Sequence, residues 1–362
     1  MKAPRGRAVL RLCVLMACLT QGLGAHAASR PAAAVDAQHL RFMLGLYGRA
    51  AEKDGRPKQR RLFGSNTARL LRASAVQKRS LRLNCYNFTL EYKVDNLPMG
   101  RMVRASLVHL RSTLGSHLPM NCVAKVSYLG PAEEPGVPSE DRVTLGPRSQ
   151  WTEGDVTVQV SRWKEGRLVL SAQYRCRGVR QERGPPGRHS SEVRRQLALT
   201  YLKPPGLLLF LEEEKHPDEW AGKATPPHPV SRFRRSKELG SIVSDIPNYK
   251  NGKNRVAKNQ CKLHSYQVAF SDLGWDHWII APHKYNPRYC RGDCPRILHY
   301  GLNSPNHAIV QTFINELGVA DIPPLSCVPY KYKPISVLMM EKNDNIVYKE
   351  YEDMIAESCT CR

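Results

Sequence analysis

Two short cysteine-containing stretches, Cys290-Arg-Gly-Asp-Cys294 and Cys359-Thr-Cys361, decide the fold of the carboxy-terminal part of this 362-residue chain. Two disulfides between them would close a ring made of five residues from the first stretch and three from the second. A third disulfide, from Cys261 to Cys327, can pass through that ring, and Gly292 has no side chain to crowd it. The spacing therefore predicts a cystine knot, which is typical of an extracellular signalling ligand rather than an enzyme.

Disulfides are also what a domain of this size needs. About 100 residues arranged as long hairpins leave little room for a central core, and cross-links then supply the missing stability. A zinc site is the alternative reading of clustered cysteines, but Cys-x-Cys and Cys-x3-Cys are unusual ligand spacings. We therefore expect disulfides and no metal or other cofactor.

The amino terminus has the pattern of a secretory signal peptide at residues 1–27. A basic start precedes the apolar run Leu12–Leu19, and Ala25-His-Ala27 is a small-x-small cleavage site. The run is too short to span a bilayer, and the alternative is a buried core helix. A later apolar run, Leu207–Leu211, has the length of a strand. We expect a secreted, extracellular protein whose cysteines are oxidised.

The formal net charge of +23 is distributed unevenly along the chain. Residues 236–362 contain 15 Lys and Arg against 13 Asp and Glu, so most of the excess lies in residues 1–235. No nucleic-acid recognition motif accompanies this excess, and a secreted protein does not meet a genome. The charge favours attraction to acidic glycans of the extracellular matrix, the alternative being solvated linkers.

A basic tetrad, Arg232-Phe-Arg234-Arg235, precedes Ser236 and divides the chain. Prolines at 226, 227 and 229 predict an extended segment that is open to a protease, and an R-x-x-R site in a secreted chain is what proprotein convertases cut. The alternative is a chance basic cluster in an Arg-rich sequence. The predicted organisation is a signal peptide (1–27), a propeptide (28–235), a flexible mature tail (236–260) and a cystine-knot domain (261–362).

The predicted propeptide has an α+β pattern. Apolar residues at helical spacing predict an amphipathic helix over Ala37–Ala51, and Asn66 is a candidate N-cap for a second helical segment at 68–71. Alternation predicts strands of a β-rich domain around Phe88–Tyr92, Val156–Val160 and Leu168–Leu170.

Two features of the predicted propeptide concern modification. Asn87-Phe-Thr89 is an N-glycosylation sequon, and alternation places Asn87 on the face opposite Phe88. Cys85, Cys122 and Cys176 are an odd set, so one of them pairs between chains or stays free.

The cysteine-rich domain shows further elements. We predict a strand over Tyr266–Phe270, a helix that Ser304 and Pro305 open and Gly318 ends, and a hairpin of 335–341 with 346–351. The apolar side of that helix is larger than a small knotted domain can cover by itself; it comprises Ile309, Val310, Phe313, Ile314 and Leu317.

Several stretches of residues 261–362 resemble the transforming growth factor β superfamily, and more closely its bone morphogenetic proteins. They are Leu273–Pro282, Cys290–Cys294, Asn303–Ala308 and Cys327–Pro329, while Ser326–Tyr332 and Tyr348–Arg362 are similar to the oocyte members. The propeptide fits only in layout. The resemblance implies a small disulfide-rich β-fold with two hairpin fingers and one helix. It also implies the pairings Cys261–Cys327, Cys290–Cys359 and Cys294–Cys361.

The sequence departs from the superfamily pattern at Ser326. Most members have two adjacent cysteines where this chain has Ser326-Cys327, and the first of them makes the disulfide between subunits. Dimerisation must then depend on packing of the helix against the finger palm of the partner. Such an interface should bury on the order of 2,000 Å² or more. The expected assembly is a non-covalent homodimer, or a heterodimer with a related oocyte factor.

The resemblance also implies receptor-binding residues. A type I receptor groove would combine Trp275 and Trp278 of one chain with three residues of the other: Leu298, Val310 and Phe313. The alternative is that the tryptophans only pack against the helix of the partner. Arg296 stands where relatives often carry an aromatic residue. A type II receptor surface would lie on the outer face of the fingers, and the alternative is ordinary surface strand positions; its residues are Ala281, Ser336, Leu338 and Tyr348.

Two other motifs have a functional and a structural interpretation. Arg291-Gly-Asp293 spells an integrin-binding tripeptide, but it lies inside the predicted ring, so we interpret it as structural. The helix around Leu40–Tyr47 resembles the segment by which superfamily propeptides cover the receptor groove. The alternative is an ordinary core helix.

The function implied is that of a dimeric growth factor. It would bring type I and type II serine/threonine kinase receptors together by proximity, activate Smad signalling, and regulate growth of the ovarian follicle and granulosa cells. The alternative is a secreted cystine-knot antagonist of related ligands. An enzyme is disfavoured because the sequence has no HExxH, GxSxG, P-loop or dinucleotide fingerprint.

Overall fold

A computed structural model describes residues 37–82, 85–94, 100–111, 120–129, 141–146, 149–163, 167–178, 202–214, 259–341 and 343–362. By its contacts the chain divides at Ala37, and residues 38–362 form one compact unit. The predicted signal peptide, the convertase site Arg232–Ser236 and residues 236–258 of the predicted tail lie outside the described residues. Among the described residues, no helix has the length and apolar character needed to cross a membrane.

In the amino-terminal part, between residues 37 and 214, the described residues form two helices and nine strands. They are α1 (Ala37–Ala50), β1 (Thr67–Leu71), β2 (Ala75–Arg82), β3 (Cys85–Lys93), β4 (Gly100–Arg111), β5 (Met120–Tyr128), β6 (Asp141–Leu145), β7 (Trp151–Asp155), α2 (Thr157–Ser161), β8 (Arg167–Gly178) and β9 (Leu202–Glu213). Strands β2-β3-β8-β5-β6 form a five-stranded antiparallel sheet in that order.

The core of the amino-terminal part follows from the alternation along its strands. On β3, Tyr86, Phe88, Leu90 and Tyr92 are fully buried, whereas the residues between them are half-buried. They form one cluster with the inward side chains of β8 and β5. The cluster also contains residues of β4 and β9, such as Leu107, and these two strands belong to another sheet. The core therefore lies between two layers of strands.

Two predicted elements of this part are wrong, and both have a physical reason. The segment 68–71 is strand β1 rather than a helix, because β9 and β16 pair with it on either side and bury all its side chains. Val156–Val160 is not a strand. Residues 157–161 form the short helix α2 with Val156 as N-cap, and the Asp155 carboxylate before it accepts a hydrogen bond from the Thr157 amide at 2.8 Å, which satisfies one free amide of the first turn.

The carboxy-terminal part, residues 259–362, contains seven strands and one α-helix. They are β10 (Lys262–His264), β11 (Val268–Ala269), β12 (Ile279–Ala281), β13 (Lys284–Tyr285), β14 (Tyr289–Arg291), α3 (Asn306–Leu317), β15 (Cys327–Met340) and β16 (Ile346–Cys361). The hairpin β15–β16 is longer at its base than predicted. The predicted strand over Tyr266–Phe270 shrinks to β11 and continues as a 3-10 turn over Phe270–Leu273.

Helix α3 begins one residue later than predicted. Its N-cap is Pro305, and the hydroxyl of Ser304 has no hydrogen-bond partner among the described residues. The helix ends at Leu317 as predicted. Gly318 follows with φ of 61°, a left-handed conformation that glycine adopts without strain.

A seven-stranded sheet joins the two parts of the chain. Its strand order is β12-β15-β16-β1-β9-β4-β7, so the finger hairpin of the carboxy-terminal part continues directly into strands of the amino-terminal part. At the junction Thr67 lies opposite Lys349 and Leu70 lies opposite Ile346 in an antiparallel ladder. Strand β1 therefore lies along the edge that the hairpin would otherwise expose.

The three disulfides implied by the family resemblance are confirmed: Cys261–Cys327, Cys290–Cys359 and Cys294–Cys361. Their partners are 66, 69 and 67 residues apart, and closing a loop of that length stabilises the fold by about 4 kcal/mol in the chain-entropy model. In the amino-terminal part Cys122 and Cys176 join β5 to β8, whereas Cys85 is a free thiol.

Gly292 is required by its backbone conformation and by the backbone that lies next to it. Its φ of 125° is strained for other residues, and a Cβ built there would lie 2.5 Å from the carbonyl oxygens of both Asn259 and Gln260. A side chain would therefore collide with the backbone that leads into Cys261.

Candidate functional site

The four residues predicted for the type II receptor surface come together on the finger hairpin. In the sheet Ala281 pairs with Leu338, which pairs with Tyr348, and the Ser336 hydroxyl lies 3.0 Å from the Tyr348 hydroxyl. Ser336, Leu338 and Tyr348 are fully buried, and Ala281 is half-buried. We call these four residues the finger patch. In the intact chain this patch is not the open surface that the sequence predicted.

Residues 47–69 of the amino-terminal part cover the finger patch. The rings of Tyr47 and Phe63 meet the Tyr348 ring edge-on, with centroids 6.3 and 5.7 Å away. The Ser336 amide donates a hydrogen bond of 2.6 Å to the carbonyl oxygen of Gly55. The cover is therefore made of both aromatic contacts and backbone pairing.

Gly55 is the point of closest approach in this cover. Its φ is 83°, and an added Cβ would lie 2.8 Å from Cγ of Pro282, the residue that follows the finger patch residue Ala281. Only glycine combines this backbone conformation with this proximity. The sequence around Gly55 is therefore fitted to the carboxy-terminal part.

Helix α1 contributes to the cover only through its end. Its buried residues include Phe42, whose ring meets Trp151 of β7 at 5.8 Å, and His39, whose ring approaches Gly206 of β9. Tyr47, in its last turn, reaches the finger patch and contacts the ring of Tyr348, a predicted type II residue. The helix is thus a core helix of the amino-terminal part whose last turn touches the carboxy-terminal part.

Charged groups flank the covered patch. The Glu350 carboxylate accepts hydrogen bonds from the Arg61 amide, at 3.1 Å, and from the Tyr348 hydroxyl, at 3.0 Å. Burial raises the pKa of Glu350, and it outweighs the opposing effect of these hydrogen bonds. Burial also raises the pKa of Tyr348. Nearby, Arg60 forms an ion pair with Glu352 at 2.5 Å.

A buried ionic cluster ties the two parts together beside the β1–β16 ladder. Glu213 accepts hydrogen bonds from Arg69 at 2.8 Å and from Lys349 at 2.9 Å, and Arg69 also pairs with Glu341. The side chains of Arg69, Glu213 and Lys349 are 3, 2 and 8% exposed. We call these four residues the ionic cluster. Arg69 and Glu213 belong to the amino-terminal part, and Lys349 and Glu341 to the carboxy-terminal part.

Protonation in the ionic cluster follows from its pairing. Burial alone would raise the pKa of Glu213, but the charges of Arg69 and Lys349, with their hydrogen bonds, together lower it. Burial likewise opposes the charged form of Arg69, yet Glu341 and Glu213 raise its pKa. Glu213 and Arg69 are therefore both charged at neutral pH. Removing the charge of Glu213 would take a buried partner from Arg69 and from Lys349 at once.

The residues predicted for the type I receptor groove are distributed over different places in one chain. Trp275 and Trp278 lie 5.8 Å apart, and Trp278 is only 8% exposed because it packs in the finger core. Trp278 is thus covered within its own chain, whereas Trp275 is half-buried. Leu298 is half-buried against the disulfide cluster, whereas Val310 and Phe313 are 55 and 51% exposed.

Ser326 follows α3 in the chain and lies beside the disulfides. Its amide donates to the Arg362 carbonyl oxygen at 2.7 Å, and the Arg362 amide donates back at 3.0 Å. A cavity of about 560 Å³ is lined by Ser326, by residues 291–294 and by α3. Arg296 also lines it and forms an ion pair with Glu316 of α3 at 2.7 Å. Arg296 therefore contacts α3 through an ion pair at the surface.

Comparison with known proteins identifies the family. Residues 260–361 match the family model described as Transforming growth factor beta like domain. Bone morphogenetic protein 15 of Bos taurus is 40% identical in an alignment of 338 positions that covers 89% of this chain and 83% of that protein. This chain belongs to the transforming growth factor β family.

Other relatives within the transforming growth factor β family agree. Bone morphogenetic protein 15 of Homo sapiens is 34% identical in an alignment of 344 positions that covers 89% of this chain and 83% of that protein. Growth/differentiation factor 9 of Ovis aries is 32% identical in an alignment of 381 positions that covers 90% of this chain and 82% of that protein. The resemblance to bone morphogenetic proteins is thus confirmed. Growth factors of this family are secreted proteins and are not enzymes.

The residues that hold the two parts together were missed by sequence reasoning. They are Gly55, Asn66, Arg69, Glu213 and Lys349. One signal was available: Arg69 stands between the apolar residues Ala68 and Leu70, and Lys349 directly follows the run Ile346–Tyr348. A buried charge of this kind needs a partner, but the sequence does not say where in the chain the partner lies.

Proposed function

We propose that this chain is the precursor of a secreted growth factor of the oocyte type. Its domains would be a signal peptide (1–27), a propeptide (28–235), a mature tail (236–260) and a growth factor domain (261–362). A convertase would cut after Arg235, at the site made by Arg232, Arg234, Arg235 and Ser236. Support comes from relatives named bone morphogenetic protein 15 and growth/differentiation factor 9 that align with about nine-tenths of the chain.

The three disulfides of the growth factor domain would form a cystine knot. The pairings close the predicted ring, and the sulfur atoms of Cys261, Cys294 and Cys361 lie within 4.8 Å of one another. This proximity supports passage of the Cys261–Cys327 bond through the ring formed by the other two. In this arrangement the Arg291-Gly-Asp293 tripeptide is part of the ring and has a structural role.

The growth factor domain would act as a non-covalent dimer. The observation that carries the proposal is the uncovered apolar side of α3: Ile309, Val310, Phe313 and Leu317 are all exposed, Leu317 by 74%. A side of this kind needs a partner, and the finger palm of a second copy would supply it. Ser326 offers no sulfur for a bond between subunits. The partner would be a second copy or growth differentiation factor 9.

The dimer would assemble two kinds of serine/threonine kinase receptor. The type I groove would form between subunits from Trp275, Trp278, Leu298, Val310 and Phe313. The finger patch would bind the type II receptor. Two copies of each surface on one ligand raise the effective concentration of one receptor near another. Smad activation and growth of the ovarian follicle and granulosa cells would follow.

The cover over the finger patch implies a requirement for release. As long as residues 47–69 lie on Ser336, Leu338 and Tyr348, a type II receptor would have no access to them. We therefore expect the precursor to be inactive at this surface until the propeptide leaves. Attraction of the basic propeptide to acidic glycans would operate before that step.

Asn87 would carry an N-linked glycan. It lies on β3 with its side chain half-buried on the face opposite Phe88, and its Oδ1 accepts a hydrogen bond of 2.9 Å from Ser171. That leaves Nδ2 as the attachment atom. Loss of a mass shift on endoglycosidase treatment after Asn87→Gln would test the assignment.

A receptor-reporter assay tests the proposed function. Medium from cells that secrete the convertase-processed protein should activate a Smad-responsive reporter by itself. A protein that stays silent and suppresses an added related ligand would instead be the antagonist considered above. Phe313→Ala should lower potency strongly. Tyr266→Ala removes an equally exposed aromatic side chain outside the proposed interfaces and should not. Equal potency of both variants would contradict the assignment.

A further inference from the structure

The five-stranded sheet of the amino-terminal part has one face in the core and one open face. On β3, Tyr86 and Phe88 point into the core, so Asn87 and Thr89 belong to the open face. Directly paired residues of an antiparallel ladder stand on the same side of a sheet. The register therefore extends the open face from β3 to all five strands.

One row of this open face crosses the whole sheet. The register joins, in order, Arg79, Asn87, Gln173, Lys125 and Arg142. Neighbouring strands lie about 4.8 Å apart, so the row spans roughly 19 Å from β2 to β6. The next rows contain Arg175, opposite Cys85, and Arg177, opposite Asn121. We call the five basic residues the cationic face: Arg79, Lys125, Arg142, Arg175 and Arg177.

Among the residues that the structure describes, the arginines of the cationic face have no counter-charge. Arg79, Arg142, Arg175 and Arg177 are exposed, and none forms an ion pair with a carboxylate of the described residues. Among the described side chains of this face, the one carboxylate is Glu91. It lies toward one end of β3 and is already paired with Arg167 at 3.0 Å. Like charges close together on a sheet repel, so an external anion would stabilise this arrangement.

The remaining side chains on the face narrow the choice of anion. Most of those beside the basic residues are polar, such as Ser127, Thr144, Gln77 and Gln173, and no described aromatic side chain stands among them. Proteins that bind single-stranded nucleic acid stack its bases on aromatic rings, and membrane-surface binding needs an apolar face as well as charge. A flat basic face with hydrogen-bonding side chains fits an extended polymer of sulfate and carboxylate groups. Guanidinium groups match such oxyanions in a bidentate geometry.

We propose that the cationic face binds a linear sulfated polysaccharide. The proposal rests on the proposed function in one respect, namely that the protein is outside cells. It deepens the expected attraction to acidic glycans, because it assigns that attraction to one surface. The covering residues 47–69 and the ionic cluster contact the seven-stranded sheet instead. Polysaccharide binding would thus hold the precursor at the matrix without displacing the cover from the finger patch.

The test compares two triple variants of the full-length secreted protein. The first, Arg142→Gln with Arg175→Gln and Arg177→Gln, removes three charges from the cationic face. The second removes three exposed arginines from elsewhere in the same part: Arg41→Gln, Arg49→Gln and Arg72→Gln. Both triple variants lower the net charge by the same amount. A difference in polysaccharide affinity between them would therefore be due to the cationic face and not to the overall charge. A glycan on Asn87 would lie nearest Arg79, which is unchanged in both.

The readout is the affinity for size-defined heparin oligosaccharides as a function of salt. For nucleic acids, each phosphate that a protein neutralises adds about 0.7 to 0.9 to the steepness of log affinity against log salt, through counterion release. Sulfate groups should behave alike, so the first triple variant should reduce the steepness by about two units and the second by much less. The single variants Arg142→Gln and Arg177→Gln should each give part of the reduction, which keeps the test valid if the triple variant does not fold.

Three results would overturn the proposal. One is an equal reduction in both triple variants, since net charge alone would then explain binding. Another is no reduction in the first triple variant. The third is competition by polyuridylate RNA or by phosphatidylserine vesicles as strong as that by heparin at equal charge. Chemically desulfated heparin should compete poorly. Because the binding is measured on purified protein without receptors, a failure here is separate from a failure of the receptor-reporter assay.

Discussion

Glu213 joins the two parts of the chain through buried ion pairs. It binds Arg69 of its own part and Lys349 of the growth factor domain, at 2.8 and 2.9 Å, and is only 2% exposed. Glu213→Gln keeps the shape of the side chain and one acceptor oxygen but removes the charge. Removing one partner of a buried, hydrogen-bonded charge pair costs about 2 to 5 kcal/mol. If the binding free energy between propeptide and mature domain weakens by about 3 kcal/mol, their Kd should rise roughly 100-fold.

The Kd is measured by biolayer interferometry on the convertase-cleaved protein. The mature domain is immobilised and the propeptide is in solution. Glu212→Gln is the matched control. It removes the neighbouring carboxylate, which pairs with the half-exposed Arg61 at 2.9 Å within the amino-terminal part, so its effect should stay within about 1 kcal/mol. A change below about threefold for Glu213→Gln, or one equal to that of the control, would show that the ionic cluster does not hold the complex together.

Three further outcomes are expected. Ser326→Cys should give a disulfide-linked dimer on non-reducing gels, and a monomer band would contradict the alignment of Ser326 with the inter-chain cysteine. Gly55→Ala should weaken the complex more than Gly64→Ala, measured as above; both glycines have positive φ, but only at Gly55 does a Cβ meet Pro282. Burial, followed by the charge of Arg111, lowers the pKa of His109 to about 3. The unfolded state, with a pKa near 6.5, therefore takes up a proton first on acidification, so stability that is fully present above about pH 6.5 is lost as the pH falls. The propeptide should lose about 2 kcal/mol of urea-derived stability between pH 7 and pH 5, and His109→Phe should remove most of that dependence.

Local patterns in the sequence were sufficient where neighbours along the chain determine the structure. The alternation around Phe88 predicted β3, the apolar spacing predicted α1, and the family spacing of the cysteines implied the three disulfide pairings. These features depend on the periodicity of apolar residues and on cysteine motifs that are short in sequence. Both can be recognised without knowing which distant residues pack against them.

The features of the fold and of the site that the sequence did not predict depend on residues that are far apart in the chain. Strand β1 has a helix-like start at Asn66, yet it becomes a strand because β9 and β16 pair with it on either side. The Asn66 side chain instead donates to the Glu213 carbonyl oxygen at 2.7 Å. The finger patch also depends on distant residues. The sequence predicted that its four residues lie together, but the residues that cover it lie some 290 positions earlier in the chain. Tyr47, which contacts Ser336, is one of them.

The cover also explains why the finger strand β16 carries charge where a buried strand would be apolar. If the propeptide leaves as proposed, β16 loses its neighbour β1 and becomes the edge of the growth factor hairpin at Ile346–Lys349. An apolar edge strand of that kind invites pairing with another chain, and charged residues, lysine above all, oppose it. Lys349 and Glu350 would then face water and protect the freed edge. The same two side chains, when buried, find their partners in Glu213 and in the Arg61 amide. One pair of charges would thus favour the covered state when β1 is present and keep the uncovered state soluble after β1 has gone.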